Sequence, residues 1–114
     1  MVKTMLEIQK AASILKLLGD KTRLTMTKIL DEQEVCVCEF VEIFQMSQPS
    51  ISQHLRKLKD AGLVQENRRG QWIFYSINKK DPSYSFILPL LEQLPNQQYR
   101  IEALEKDGKR IQCC

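Results

Sequence analysis

Four cysteines are the residues of this chain best suited to chemistry, and they occur as two close pairs. Cys36 and Cys38 flank a single valine, and Cys113 and Cys114 are adjacent at the end of the 114-residue sequence. A secreted disulfide framework normally spaces its cysteines through the chain behind a leader peptide, a pattern that this sequence does not follow. Clustered thiols in a cytosolic protein more often bind a metal ion or undergo redox chemistry. The pairs therefore predict one of these two functions.

The other residue types argue against an enzyme. His54 is the only histidine, and neither a phosphate-binding glycine loop nor a nucleophile with a neighbouring base is apparent. No apolar run approaches the ~18 residues of a membrane span, and we find no charged-then-apolar leader. We therefore expect a cytoplasmic protein without catalytic activity or a membrane partner. Because His54 lies at the border of an apolar stripe, we expect it to be a hydrogen-bonded structural residue rather than a ligand.

Basic residues are concentrated in the middle of the chain. The net charge is only +3, but segment 47–80 carries seven lysines and arginines against two acidic residues, a local charge of +5. The remainder of the sequence is therefore slightly acidic. A basic surface on such a body is typical of proteins that bind a polyanion, although a solvated charged face would have the same composition.

Hydrophobic periodicity and capping residues predict the elements that position these residues. Apolar side chains at steps of three and four indicate an amphipathic helix over 5–18, and Asp20 is a suitable N-cap for a second helix ending near residue 31. A short third helix begins at the first cysteine pair. Pro89 and Pro95 are expected to break or start segments, which leaves short helices near 89–94 and 96–107. Gly108 then closes the last helix ahead of the cysteine tail.

The segment between Val37 and Gly62 has the signals of a helix-turn-helix. A tight turn at residues 45–46 precedes Ser47, a suitable N-cap, and Pro49 falls in the first turn of the helix that follows. Gly62 ends this helix, as glycines commonly do just past a helix C-terminus. The inward apolar stripe of the helix consists of Ile51, Leu55 and Leu58.

A change of period after Gly62 predicts a β-hairpin. Two β-prone runs flank residues 68–71, with the turn expected at Arg69-Gly70. The fold class that we predict is therefore mainly α with a β-hairpin, a homodimeric winged helix-turn-helix. The whole chain forms one such domain. It comprises N-terminal helices over 5–35, the helix-turn-helix over 36–62, the wing over 63–78, and dimerisation helices with the cysteine tail over 82–114.

The second helix of this motif has a polar outer face suited to double-stranded DNA. Advancing about 100° per residue from Ile51 leaves polar and basic side chains on the far side, where they can contact bases and phosphates. The tip of the hairpin adds basic residues that can reach a neighbouring groove. The predicted DNA-binding residues are Gln48, Pro49, Ser50, Ser52, Gln53, Arg56, Lys57, Arg68, Arg69 and Gln71.

A homodimer is expected because one recognition helix reads too few base pairs for specific binding. The first helix and the C-terminal helices carry apolar residues that the helix-turn-helix does not need for its own core. The residues expected to serve dimerisation are Leu15, Leu18, Ile87, Leu90, Leu91, Leu94, Ile101 and Leu104.

Four short motifs occur in order along the chain: EVCVCE at 34–39, SQPSISQHL at 47–55, GLV at 62–64 and RGQWIFY at 69–75. Together they resemble the ArsR/SmtB family of metal-sensing transcriptional repressors, over about residues 8–80. The arsenite-responsive branch is the most similar, because the cysteine pair starts the helix that precedes the recognition helix. The resemblance implies a homodimer that binds a palindromic operator and dissociates when it binds a metal or metalloid.

The resemblance also implies the inducer, arsenite As(III) or the similar Sb(III), bound by cysteine thiolates. In the best-known arsenite sensors a third cysteine follows three residues after the pair, but here that position is Val41. A soft trivalent ion prefers three thiolates. We therefore hypothesise a site made of Cys36, Cys38 and either Cys113 or Cys114, from the same subunit or from its partner.

Two alternatives remain open at these cysteines: a cadmium- or lead-responsive repressor, and a thiol-redox-responsive repressor in which a disulfide forms. Whether the ion is arsenite or a metal such as cadmium or lead, the side chains of residues two apart on an ideal helix point about 200° apart. Closing the site on one ion is therefore expected to unwind the start of the third helix. Such a change would displace the recognition helix and release the DNA.

Overall fold

The computed structural model describes residues 6–108, and within that range it has the predicted architecture of helices around a small antiparallel sheet. In chain order the elements are α1 (Ile8–Leu18), α2 (Lys21–Glu32), β1 (Val35–Cys36), α3 (Val37–Phe44), α4 (Gln48–Asp60), β2 (Val64–Arg69), β3 (Trp72–Ile77), α5 (Pro82–Glu92) and α6 (Gln98–Lys106). None of the helices in this range is long and apolar enough to cross a membrane. The tail with Cys113 and Cys114 lies outside the described residues.

The α3–turn–α4 unit forms as its local signals predict. Gln45 ends α3 in the left-handed conformation, with φ 53°. Ser47 then caps α4 by accepting a hydrogen bond from the Ser50 N–H at 3.2 Å, and Pro49 lies in the first turn, where a missing N–H breaks no helical bond. The predicted apolar stripe, Ile51, Leu55 and Leu58, is fully buried in the core.

The wing is the predicted hairpin, and a third strand that the sequence does not predict extends its sheet. β2 and β3 pair around Gly70-Gln71, one residue later than predicted, and Gly70 has φ +63°, a conformation that favours glycine. β1 pairs with the other edge of β3, so that Cys36 lies opposite Phe74. The sequence predicts Cys36 at the start of a helix. It ends a strand instead, because folding brings the unpaired edge of β3 alongside it.

The C-terminal helices also differ from the prediction. α5 continues through Pro89 rather than breaking there, and α6 begins two residues later than expected. The N–H that Pro89 lacks would have bonded the Ser85 carbonyl four residues earlier. Both residues are exposed, so water can satisfy that carbonyl, while burial of Ile87 and Leu91 holds the helix against the core.

Most of the apolar residues that we assigned to dimerisation belong to the core of the single chain. They are covered because α5 packs on α1 and α6 packs on α3. The buried members of that set are Leu18, Ile87, Leu91, Ile101 and Leu104. Two members, Leu15 on α1 and Leu90 on α5, are about half exposed, together with Phe86. These three side chains give α1 and α5 an exposed apolar surface, and Ile8 of α1 and Tyr99 of α6 are exposed as well.

Candidate DNA interface and cysteine site

The outer face of α4 is open to solvent along its length. Its predicted DNA-binding side chains are exposed, except that Ser50 is half-buried. The Ser50 hydroxyl accepts a hydrogen bond from the Ser47 hydroxyl at 3.0 Å, so part of its polar capacity is used by the helix cap. The side chains of Gln53, Arg56 and Lys57 project from the opposite side of the helix to the buried stripe. α4 therefore has the amphipathic arrangement expected of a recognition helix.

At the wing, Arg68, Arg69 and Gln71 are all exposed, but Arg69 already has partners within the chain. Its Nη2 donates a hydrogen bond to Glu34 Oε1, and its guanidinium lies 4.0 Å from the centre of the Phe74 ring. Glu34 immediately precedes β1, which contains Cys36. A predicted phosphate-binding arginine is thus held against the strand that carries a predicted inducer ligand.

Lys59 links the recognition helix to the wing instead of extending into solvent alone. Its Nζ donates to Glu66 at 2.7 Å, and the Tyr75 hydroxyl donates to the same carboxylate at 2.9 Å. The hydrogen bond from Lys59, followed by that from Tyr75, holds the pKa of Glu66 below its usual value. Burial, with the Glu66 hydrogen bond, raises the pKa of Tyr75 to about 12. This polar group fixes β2 and β3 relative to α4.

The Cys36 and Cys38 sulfurs lie 3.3 Å apart. Cys36 is the N-cap of α3 and has an extended backbone, with φ −81° and ψ 150°, whereas Cys38 is the second residue of the helix. Because Cys36 is not helical, the divergence expected of two residues on one helix does not apply. Our expectation that α3 must unwind to bring these two sulfurs together is therefore wrong.

Glu39 supports this arrangement from within the core. Its side chain is fully buried, and its carboxylate accepts a hydrogen bond from the Cys36 N–H at 2.7 Å. This contact is the glutamate half of a capping box at the start of α3. The capping box is not evident from the sequence because the usual signature begins with serine or threonine, whereas here the capping position is a cysteine. Glu39, three positions after Cys36, is the feature of the sequence from which the capping box could be recognised.

A cavity of about 470 Å³ opens beside the cysteines and extends to the predicted DNA-binding face. The residues that line it on the β1–α3 side include Cys36, Cys38, Val41 and Glu42. The residues that line it on the other side include Gln48 and Ser52 of α4 and Gln71 of the wing. Three of the predicted DNA contacts thus border the space next to the sulfur pair.

The structure brings together two of the four predicted cysteine ligands. Among residues 6–108, no group of three or more histidine, cysteine, aspartate or glutamate side chains is arranged to hold a metal ion. The described part of the chain therefore contributes two cysteine sulfurs, and the other two predicted ligands, Cys113 and Cys114, fall outside it.

A winged helix-turn-helix that presents a polar helix face and a basic wing defines a DNA-binding transcription factor. The chain matches the family model described as "Bacterial regulatory protein, arsR family" over residues 20–66. It is 40% identical over 81 residues to the arsenic resistance transcriptional regulator ArsR1 of Pseudomonas putida, covering 70% of this chain and 63% of that protein. It is 31% identical over 101 residues to the arsenical resistance operon repressor of Escherichia coli, covering 88% and 86% respectively.

The solved structures agree with this assignment. The homodimeric winged helix-turn-helix DNA-binding domain of a possible ArsR-family regulator from Mycobacterium bovis superimposes with a TM-score of 0.63 at 27% identity, covering 74% of this chain and 78% of that one. The chain therefore belongs to the ArsR family of transcriptional repressors, as the sequence motifs indicated. Its relatives are DNA-binding regulators rather than enzymes.

Proposed function

We propose that this repressor is released from its operator by trivalent arsenic bound to Cys36, Cys38 and one tail cysteine. The observation that carries the proposal is the 3.3 Å separation of the two sulfurs beside a cavity that predicted DNA contacts also border. Two similar proteins are named as arsenic-resistance regulators, which supports arsenic over other soft ions. Antimony in the same oxidation state has the same ligand preference and is expected to act likewise.

The sulfur separation suits one small, soft ion. Bonds of about 2.3 Å, typical of metal–thiolate pairs, place two sulfurs about 3.3 Å apart when they meet at roughly a right angle. Trivalent arsenic takes three thiolates in a pyramid, so Cys36 and Cys38 supply one edge of that pyramid. Soft thiolates select such an ion over hard cations. The residues present therefore fit the proposed inducer, given one further sulfur.

We propose that the third thiolate comes from the tail of the same subunit. Asp107, at the end of α6, lines a cavity together with Glu42 of α3, and Glu42 also lines the cysteine cavity. The last helix thus ends beside a residue that is one helical turn beyond Cys38. Cys113 lies five positions after Gly108, and an extended segment of that length reaches about 17 Å. Together with the shared position of Glu42, that reach supports a tail sulfur as the third ligand.

Closure of the tail on the pair would act directly on the DNA-binding surface. The tail would cover the cavity that Gln48, Ser52 and Gln71 border. A displacement of β1 would also reach the wing, because Cys36 is paired with Phe74 in the sheet. Inducer and operator would thus favour different arrangements of one surface, and the difference in their affinities for these arrangements sets the extent of release.

We also propose that a second copy of the chain covers the exposed apolar surface of α1 and α5. Leu15, Phe86 and Leu90 are 48%, 36% and 42% exposed. The homodimeric state named for the Mycobacterium bovis neighbour supports this arrangement. In such a dimer the two recognition helices read half-sites of a palindromic operator about one helical turn apart.

Release of the operator by each candidate inducer tests the proposal. Reduced protein is bound to fluorescent DNA from upstream of its own gene and titrated separately with arsenite, antimonite, cadmium and lead, while anisotropy reports release. A further sample without reductant is titrated with peroxide. We expect arsenite and antimonite to release the DNA at the lowest concentrations, with one ion bound per subunit.

Serine variants separate the roles of the cysteines. Cys36→Ser and Cys38→Ser should still bind the operator but should no longer respond to arsenite, and the Cys113→Ser/Cys114→Ser double variant should bind arsenite more weakly. Unchanged arsenite affinity and stoichiometry in the double variant would exclude the tail as a ligand. Release by cadmium, lead or peroxide in preference to arsenite would replace the proposed inducer by one of the alternatives.

A further inference from the structure

A polar network joins the recognition helix to the α1–α2 junction. Arg23 of α2 is its centre: Nε donates to the Leu17 carbonyl at the end of α1 at 2.8 Å, and Nη1 lies 3.1 Å from His54 Nδ1 on α4. Asp20 caps α2 by accepting from the Arg23 N–H at 3.0 Å, and its carboxylate is 4.0 Å from the same histidine nitrogen. Three helices therefore meet at one guanidinium.

The His54 nitrogen in this network must be the acceptor. A guanidinium donates hydrogen bonds and cannot accept them, so the short contact with Arg23 requires an unprotonated Nδ1. The His54 side chain is only 19% exposed, and the neighbouring Leu55 is fully buried. A partly buried side chain held to α2 in this way resists rotation of α4 about its axis, and that rotation decides which side chains face the DNA.

Burial of the His54 side chain favours its neutral form. Burial is the main cause that lowers the pKa of His54, and the positive charges of Arg23 on α2 and Lys57 on α4 lower it further. The carboxylate of Asp20, at the start of α2, opposes them. Protonation would replace the acceptor that faces Arg23 by a donor that faces Asp20. The contact between Arg23 and neutral His54 is therefore fully formed above about pH 6.5, the ordinary pKa of histidine, and it is lost as the pH falls through the lowered pKa.

We propose that His54 is a positioning residue for operator binding: as a neutral acceptor for Arg23 it fixes the orientation of the recognition helix, and its protonation loosens the grip on DNA. The histidine itself need not touch the operator. The hydrogen bond from Arg23 to the Leu17 carbonyl extends this network to α1, one of the two helices that carry the exposed apolar surface. The same network therefore connects the recognition helix to that surface.

Operator affinity measured against pH tests the proposal without any inducer. His54 is the only histidine in the sequence, so no other imidazole titrates between about pH 5.5 and 7.5. We expect the affinity of the wild type to fall as the pH is lowered below about 6.5, by about three- to tenfold once His54 is protonated, the effect of losing one hydrogen bond. His54→Ala should bind the operator at the upper pH as weakly as the protonated wild type does at low pH. His54→Asn, whose side-chain oxygen replaces the Nδ1 acceptor, should bind the operator well at both pH values.

Two variants of α2 provide the matched control. Arg23→Met removes the donor and should reproduce the loss seen in His54→Ala, while Lys21→Met removes the same charge from an exposed position two residues earlier and should stay close to the wild type. The proposal is overturned if the wild type and His54→Asn have the same pH profile, or if His54→Ala binds the operator as tightly as the wild type. Should His54→Ala fail to fold, the pH profiles of operator affinity for the wild type and His54→Asn still test the proposal. The inducer plays no part in these measurements, so failure of the arsenic proposal would leave their outcome unaffected.

Discussion

Replacing Glu34 by glutamine is expected to tighten operator binding. In the chain without DNA, Arg69 donates to the Glu34 carboxylate and lies against the Phe74 ring. If Arg69 is a phosphate contact, DNA binding must exchange the carboxylate for a phosphate oxygen, so the ion pair opposes binding. Removing the negative charge eliminates that competition and leaves the arginine and the ring in place.

The size of the effect follows from the exposure of the pair. The Arg69 and Glu34 side chains are 50% and 37% exposed, and solvent-exposed ion pairs of this kind contribute about 0.2–1 kcal/mol. The dissociation constant of Glu34→Gln for the operator should therefore fall about 1.4- to 5-fold. Arg69→Gln should weaken binding and reduce the slope of log affinity against log salt by about 0.9, the value for one lost phosphate contact.

Anisotropy titrations at several salt concentrations, on the two single variants and the double variant, measure the coupling between the pair. Glu32→Gln makes the same charge change two residues earlier and controls for long-range repulsion between the protein and DNA. The gain from Glu34→Gln should disappear in the Arg69→Gln background. If Glu34→Gln binds no better than Glu32→Gln, or binds more weakly than the wild type, Glu34 does not compete with the operator for Arg69 and our reasoning is refuted.

Three further changes test the sensor site, the recognition helix and the dimer. Val41 lies one turn beyond Cys38 and lines the same cavity. Val41→Cys in the Cys113→Ser/Cys114→Ser chain should therefore restore release of the operator by arsenite, because it places a third sulfur on α3. A variant that stays unresponsive to arsenite would contradict the cavity as the arsenic site. Arg56→Ala should weaken operator binding and lower the salt slope by about 0.9, and an unaltered slope would exclude a phosphate contact. Leu90→Asp should shift the chain from dimer to monomer in sedimentation experiments. The melting temperature should fall little, because the Leu90 side chain is 42% exposed in the single chain. A dimer that persists would place the interface elsewhere.

The helix-turn-helix and its wing could be predicted from the sequence because their signals are local. Ser47 and Pro49 mark the start of α4 through the hydrogen-bonding needs of a helix N-terminus, and the stripe headed by Ile51 follows the helical period. Gly70 marks the hairpin through its left-handed backbone. Each signal depends on residues within a few positions of one another, so no knowledge of the fold is needed to interpret it.

The sequence by itself determined the kind of protein and named the cysteines, but only the tertiary structure decided how they are arranged. β1 is two residues long and has no period of its own; it exists because β3 presents a free edge, and that pairing holds Cys36 extended beside Cys38. The partners of Arg69 and His54 lie 35 and 31 positions away along the chain, so no local pattern could reveal them. The helix at Pro89 persists because long-range burial outweighs one missing hydrogen bond.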